Sequence, residues 1–228
     1  MRAISISAVG SPDQLKVAEL PSLVSSNNPG EEILIRVEMA GINFFDIYQR
    51  RGERPMDFPG VLGVEGIGVI LESSLPLQNF RVGDRVGWAG GSRSYSELVT
   101  LSEEQLIPLP ANIVPEKLLP LLLQGLTAHF LAASSHVASP KTTALVTAAS
   151  GGVGSILIQL LKRAGARVIP VTSSDAKVEK LRQLGFEHSC TYTQMQDKVK
   201  SLTKGLGVNV VYDSVGKDTF SQTIELVA

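Results

Sequence analysis

Apolar positions follow two different rhythms along the 228 residues of this chain. Up to about residue 115, short β-rich runs such as 33–37 and 61–71 are broken by turn clusters, among them Asn27-Asn28-Pro29-Gly30 and Val82-Gly83-Asp84. That rhythm predicts a small antiparallel barrel or sandwich. Beyond it, apolar strands at 143–147, 167–171, 188–192 and 208–213 alternate with helical patterns at 153–164 and 176–184. Such alternation calls for a parallel, doubly wound sheet. The expected organisation is a β-rich domain over 1–115 and an α/β domain over 116–228.

Composition narrows the partners. The 21 Lys and Arg against 22 Asp and Glu give a net charge of −1. No strong field therefore favours nucleic acid or an anionic membrane. The richest apolar stretch, 118–123, is interrupted by Pro120, so no membrane span is expected. Cys190 is the only cysteine, which rules out an intramolecular disulfide and a cysteine-clustered zinc site and suits a reducing, cytoplasmic setting. With no base or cation evident beside it, Cys190 reads as an inert, part-buried small residue.

The strongest chemical signal is Ala148-Ala149-Ser150-Gly151-Gly152-Val153-Gly154, placed after the strand 144–147 and opening the helix that begins near residue 153. Small residues at 149, 151 and 154 let the backbone turn tightly, let a pyrophosphate approach the main chain, and let helix and strand pack closely. The helix N-terminus then offers N–H groups and a favourable dipole to an anion. A ligand-free strand-to-helix turn is the competing reading. At the end of the second strand, an NAD site would place an acid against the ribose 2′-hydroxyl; this chain has Ser173 and Ser174, followed by Lys177. These groups favour a 2′-phosphate, hence NADPH over NADH; a helix cap and a solvated face is the competing reading. Asp175 is expected to be the N-cap of the next helix, with its carboxylate occupied locally.

Longer segments carry a family resemblance: Gly41-Ile42-Asn43-Phe44-Phe45-Asp46-Ile47-Tyr48-Gln49-Arg50-Arg51-Gly52, Pro59-Gly60-Val61-Leu62-Gly63-Val64-Glu65-Gly66, Val82-Gly83-Asp84-Arg85-Val86, Leu122-Leu123-Gln124-Gly125-Leu126-Thr127-Ala128, the glycine turn, and 210–220. Together they resemble the zinc-free, zeta-crystallin-like quinone oxidoreductase branch of the medium-chain dehydrogenase/reductase family. The resemblance implies an α/β chain with a GroES-like catalytic barrel over 1–115 and a Rossmann-type NADP-binding domain over 116–228. It also implies NADPH-dependent reduction of a small quinone, enone or related conjugated carbonyl. Zinc-dependent relatives place Cys and His where this chain has Asn43 and Val64. His129, His136 and His188 are too few and too scattered for a tetrahedral site, so no metal is expected. His129 is expected in a core helix.

By resemblance, Asn43, Asp46 and Tyr48 line the reaction cleft, and Asn43 also contacts cofactor. Tyr48 is the candidate for polarising a carbonyl oxygen, because a phenol donates without being charged; a packing aromatic with its hydroxyl in water is the alternative. Asp46 orients its neighbours or caps a short helix. Gln124 and Thr127 match positions on the nicotinamide side, though as a polar stripe beside leucines they would look the same. Lys177 and Tyr192 match positions that grip the adenosine 2′-phosphate and its neighbourhood. Ser150, Gly151, Gly152, Val153, Ser173, Ser174 and Ser214 complete the cofactor set, at the carboxyl edge of the sheet.

A dinucleotide fold orders its strands 3-2-1-4-5-6, and only the first four are recognisable, with the chain stopping in the helix expected after the fourth. The incomplete sheet and the absent segment returning to the barrel lead to an expectation of impaired turnover. A bare edge on the fourth strand would also permit self-association. A non-catalytic cofactor-binding or regulatory protein descended from such an enzyme is the alternative function.

Overall fold

A computed structural model describes residues 1–228 apart from Pro29 and Ser92, so the Pro29 part of the expected turn cluster lies outside the described residues. Two compact units emerge, Met1–Leu123 and Gln124–Ala228.

The first unit runs β1 (Arg2–Ile6), β2 (Lys16–Glu19), β3 (Ile33–Ala40), α1 (Phe44–Arg50), β4 (Gly60–Val61), β5 (Glu65–Ser73), β6 (Arg85–Ala89), β7 (Leu98–Leu101), β8 (Ile107–Pro108) and α2 (Pro115–Leu118). Its strands form two antiparallel sheets, β7-β3-β5-β6-β8 and β2-β1-β4. Ile33, Ile35, Ile70, Val86, Trp88, Val99 and Leu101 fill the core beneath the larger sheet. Burying the indole of Trp88 would leave a donor unsatisfied, and Ser94 Oγ accepts it at 2.8 Å.

The run at 61–71 is two strands, not one. Gly63, at φ +101°, turns the chain between them, so that β4 pairs with β1 while β5 pairs with β3 and β6. A side chain is disfavoured at that backbone angle, and a Cβ would also strike the Tyr95 backbone nitrogen at 2.7 Å. Leu118, Leu119 and Leu122 pack with Ile67 as a further apolar cluster of this unit. The compact units accordingly part later than the change in sequence rhythm near 115.

The second unit runs from α3 (Leu123–Phe130), which starts at the junction, through β9 (Thr143–Val146), α4 (Gly152–Arg163), β10 (Arg167–Thr172), α5 (Asp175–Gln183), β11 (Cys190–Thr191), α6 (Met195–Thr203), β12 (Val210–Tyr212) and α7 (Phe220–Ile224). The strands form one parallel sheet in the order β11-β10-β9-β12. Numbered from β9, this is the 3-2-1-4 order of half a doubly wound sheet. β9 and β10 read as continuous apolar runs because helices cover both faces of such a sheet. Leu157, Ile158 and Leu161 of α4 and Leu181 of α5 supply one cluster, and Met195 and Val199 of α6 another. Their three- and four-residue spacings give each helix one apolar stripe.

Three local expectations change. The third strand shrinks from 188–192 to Cys190–Thr191, since Ser189 instead closes a turn onto the Phe186 carbonyl through both its N–H and its hydroxyl. Ser174, not Asp175, is the extended residue preceding α5; Asp175 is already helical and exposed, and its carboxylate has no hydrogen bond among the described residues. The last residues leave the helix: Val208 N–H donates to the Leu226 carbonyl at 2.8 Å and Ala228 N–H to the Val208 carbonyl at 2.9 Å. This isolated pairing lies just ahead of β12, which remains the last strand of the sheet. No single helix among the described residues is long and apolar enough to cross a membrane.

Candidate functional site

In the second unit, level parallel strands bring the segments after β9, β10, β11 and β12 to one edge. The turn after β9 is clamped from both neighbours: Thr147 N–H donates to the Tyr212 carbonyl at 3.0 Å and Ala149 N–H to the Val171 carbonyl at 2.9 Å. Between them Ala148 adopts φ +45°, a strained angle for a residue with a Cβ. Its N–H is held by the Tyr192 hydroxyl oxygen at 2.9 Å. Because that oxygen accepts from Ala148, the single phenolic hydrogen of Tyr192 is left to donate elsewhere.

Ser150 Oγ pairs with Thr172 Oγ1 at 2.7 Å, and Gly151 N–H turns back onto the Ala148 carbonyl at 2.8 Å. The first intrahelical donor of α4 to find an acceptor is Ser155 N–H, bonded to the Gly151 carbonyl. The N–H groups of Gly152, Val153 and Gly154 therefore head the helix without an intrahelical partner, the ordinary state of a helix start. The glycines differ in what they permit. A Cβ on Gly154 would meet the Ala148 carbonyl oxygen at 2.4 Å and Ala149 Cα at 2.9 Å, whereas one on Gly151 would meet only the Ala148 oxygen, at 3.1 Å. Gly154 allows helix and strand to touch; Gly151 keeps the approach to the turn open. Gln124, at the start of α3, places its amide against Gly152, where a Cβ would lie 2.3 Å from Oε1.

At the end of β10, Lys177 Nζ donates to Ser173 Oγ at 3.3 Å, and both residues are exposed. Ser174 precedes α5. Ser214 N–H donates to Thr147 Oγ1 at 3.0 Å, joining the segment after β12 to the turn after β9. The organiser of that segment is Asp213. Its Oδ1 accepts from Thr147 Oγ1, Val215 N–H, Gly216 N–H and Thr219 Oγ1, and its Oδ2 from Thr219 and Thr223 hydroxyls. Burial opposes ionisation there, yet the bonds from Thr219, Val215, Gly216 and Thr223 outweigh it and hold the carboxyl below its usual range. An acid ending an apolar strand and followed by Ser-Val-Gly was the available sequence signal for it.

In the first unit, α1 opens with Asn43 as its extended N-terminal neighbour. Asn43 N–H donates to Asp46 Oδ2 at 2.8 Å, and Asn43 Nδ2 to Glu65 Oε2 at 2.9 Å. The amide thus presents its NH2 to Glu65, and its carbonyl oxygen points to the other side. Glu65, 2% exposed, also accepts from Leu123 N–H at 2.7 Å. Gly41 makes room for it, since a Cβ there would lie 1.9 Å from Glu65 Oε2. Replacing Gly41 with Ala is expected to displace that carboxylate and to lower the thermal midpoint, read by calorimetry. Tyr48 is partly exposed, its ring 6.2 Å from that of Phe44 and tilted by 37°, and its hydroxyl has no partner among the described residues. Glu65 and Tyr95, whose hydroxyl donates to Asp46 Oδ2 at 2.8 Å, were the residues that sequence reasoning passed over. A lone acid inside an apolar strand was a signal for Glu65, but a contact 49 residues away left none for Tyr95.

The remaining expected residues divide. Thr127 is exposed on α3 and has a partner within the structure. His129 is exposed, not core, because α3 turns Ala128 inward instead. Cys190 is wholly rather than partly buried, and that burial pushes its thiol up to about 11. Among the described residues no three His, Cys, Asp or Glu side chains cluster as metal ligands do.

An antiparallel barrel unit followed by a 3-2-1-4 parallel sheet with a glycine-lined turn defines the class of two-domain dehydrogenases and reductases. Residues 29–111 match the alcohol dehydrogenase GroES-like domain, and residues 152–228 match the zinc-binding dehydrogenase domain. A quinone oxidoreductase of Pseudomonas aeruginosa is 36% identical over all of this chain, which spans 70% of that relative. A 2-haloacrylate reductase of a Burkholderia species is 34% identical over 95% of the chain and 67% of its own length. The crystal structure of Escherichia coli quinone oxidoreductase complexed with NADPH superposes with a TM-score of 0.93 at 29% identity, over 100% of this chain and 70% of that one. The chain belongs to the quinone oxidoreductase branch of the medium-chain dehydrogenase/reductase family.

Proposed function

We propose that this chain binds NADPH at the turn after β9 and reduces a small quinone or conjugated carbonyl without a metal. The observation that carries the cofactor reading is the joint presence of the open α4 N-terminus, with Gly151 leaving space before it, and the Lys177–Ser173 pair at the end of β10. Donor N–H groups and a helix dipole suit the diphosphate, while a cation beside a hydroxyl suits a further phosphate. The NADPH complex of the Escherichia coli relative and the names of the other relatives support the same reading.

NADPH, when bound, supplies the hydride. Gly152, Val153 and Gly154 would hold its diphosphate, Ser150 and Tyr192 would donate to neighbouring oxygens, and Ser173, Ser174 and Lys177 would hold the 2′-phosphate. Gln124, Thr127 and Ser214 are assigned to the nicotinamide half. In the barrel unit, the Asn43 carbonyl oxygen would accept from a hydroxyl or amide of the ligand. The Tyr48 hydroxyl would donate to the carbonyl oxygen on which negative charge develops, and it needs no charge of its own to do so. With Asn43 and Val64 in place of soft or imidazole ligands, that neutral donor takes over the polarising work.

Asp175, exposed at the start of the same helix, adds a negative charge that opposes a dianion, so the preference for NADPH is expected to rest on the lysine. Replacing Lys177 with Ala should weaken NADPH binding about 10-fold and leave NADH nearly unchanged, by fluorescence titration. Equal affinity of the unaltered chain for the two nucleotides would contradict this reading. Quinone-dependent NADPH oxidation by the same protein tests the reaction itself.

A further inference from the structure

Helix α1 carries Asp46 and Tyr48 and is preceded by Asn43, but the anchor of its first turn comes from another part of the barrel unit. Asp46 is 4% exposed. Its Oδ2 takes both the Asn43 N–H and the Tyr95 hydroxyl, each at 2.8 Å. Its Oδ1 is buried without a partner among the described residues. A buried carboxylate with one bare oxygen is costly, so the two bonds at Oδ2 must supply the compensation.

Tyr95 is itself tightly held. Its N–H donates to the Leu62 carbonyl at 3.0 Å and its carbonyl accepts from Ile4 N–H at 2.7 Å. The adjacent Ser94 N–H donates to the Gly63 carbonyl at 3.1 Å, and only a glycine at 63 leaves room for the Tyr95 ring. Burial, and then the bond to Asp46, keep the phenol well above its ordinary value, so it remains protonated and donating.

We propose that Tyr95 is a positioning residue for the reaction: its hydroxyl fixes the Asp46 carboxylate, which fixes the Asn43 backbone and with it the presentation of the Asn43 amide and Tyr48. The role in turnover rests on the reading of α1 given above; the mechanical role does not. Tyr95 acts through Asp46 and touches no reactant.

Tyr95→Phe keeps the ring and removes only the hydroxyl. Amide exchange at Asn43 is expected to quicken about 10-fold, because its acceptor is released. The kcat for quinone-dependent NADPH oxidation is expected to fall about 10-fold, with the KM for NADPH changed less than about twofold, since the phosphate-binding groups are untouched. In an Asp46→Ala background, where the acceptor of the Tyr95 hydroxyl is gone, Tyr95→Phe should cost less than about twofold further, the non-additivity expected of residues acting in series. Faster exchange with unchanged kcat would make Tyr95 merely structural and overturn the proposal, as would a lowered kcat with unchanged exchange or full multiplicativity of the two losses. If the unaltered chain showed no quinone-dependent oxidation, the functional reading would fail, and the exchange measurement alone would still decide whether Tyr95 holds α1.

Discussion

Gly151→Val is expected to weaken NADPH binding by about 100-fold, roughly 3 kcal/mol, while the protein stays folded. The reasoning is steric. Gly151 has an extended backbone that valine adopts readily, and its added Cβ meets only the Ala148 carbonyl oxygen, at 3.1 Å. The fold can absorb that contact by a small shift. The branched side chain would instead occupy the space through which a diphosphate reaches the N–H groups of Gly152, Val153 and Gly154. Gly154→Val provides the contrast: its Cβ would overlap backbone atoms at 2.4 Å and 2.9 Å, which cannot swing aside. That variant should lose stability before binding can be asked about, by about 2 kcal/mol or more. Titration with NADPH and a thermal melt on both proteins separate the two roles; unchanged affinity in Gly151→Val would contradict ligand approach at this turn.

The second large effect concerns Asp213. Alanine there would strand the hydroxyls of Thr147, Thr219 and Thr223 and the N–H groups of Val215 and Gly216 at once. Several of these groups are partly buried, so the loss is expected to be about 3 kcal/mol, a fall of roughly 6–12 °C in midpoint. Its pH dependence has a definite sign. The folded carboxyl titrates below its ordinary value of 3.8, so its stabilisation is fully present above that value and is lost as pH falls through the lower folded one. The stability difference between the unaltered protein and Asp213→Asn should accordingly be constant near neutrality and shrink in strong acid. Chemical denaturation across that range checks it; a difference that grew on acidification would contradict the assigned hydrogen bonds. Ser214 should lose its position with Asp213, because both are bonded to Thr147 Oγ1.

What could be read in advance follows from the range of the forces involved. β9, α4, β10 and α5 were legible to within a residue or two, since each is specified by its own apolar rhythm and the glycine turn specifies how β9 passes into α4. The division of 61–71 was not, because Gly63 looks like any glycine in a strand until its partners, β1 on one side and β3 and β6 on the other, are known. Ser173 and Lys177 were readable as a hydroxyl and a cation following the second strand, but the bond between them was not. Tyr192 was placed by the strand it follows, but the bond that ties its hydroxyl to the strained Ala148 joins residues 44 apart. Glu65 and Tyr95 were overlooked for the same reason: their partners, Asn43, Leu123 and Asp46, are brought to them only by the closed barrel unit. Local chemistry announces itself in sequence, whereas the groups that hold it in place act across the fold.

Backbone amide resonances followed during NADPH titration test most directly where a dinucleotide meets the sheet edge. The expected result is saturable movement centred on Ser150, Gly151, Gly152 and Val153, accompanied by Ser173 and Lys177, and abolished in Gly151→Val. Saturable binding that left those amides unmoved, or no binding at all, would contradict it.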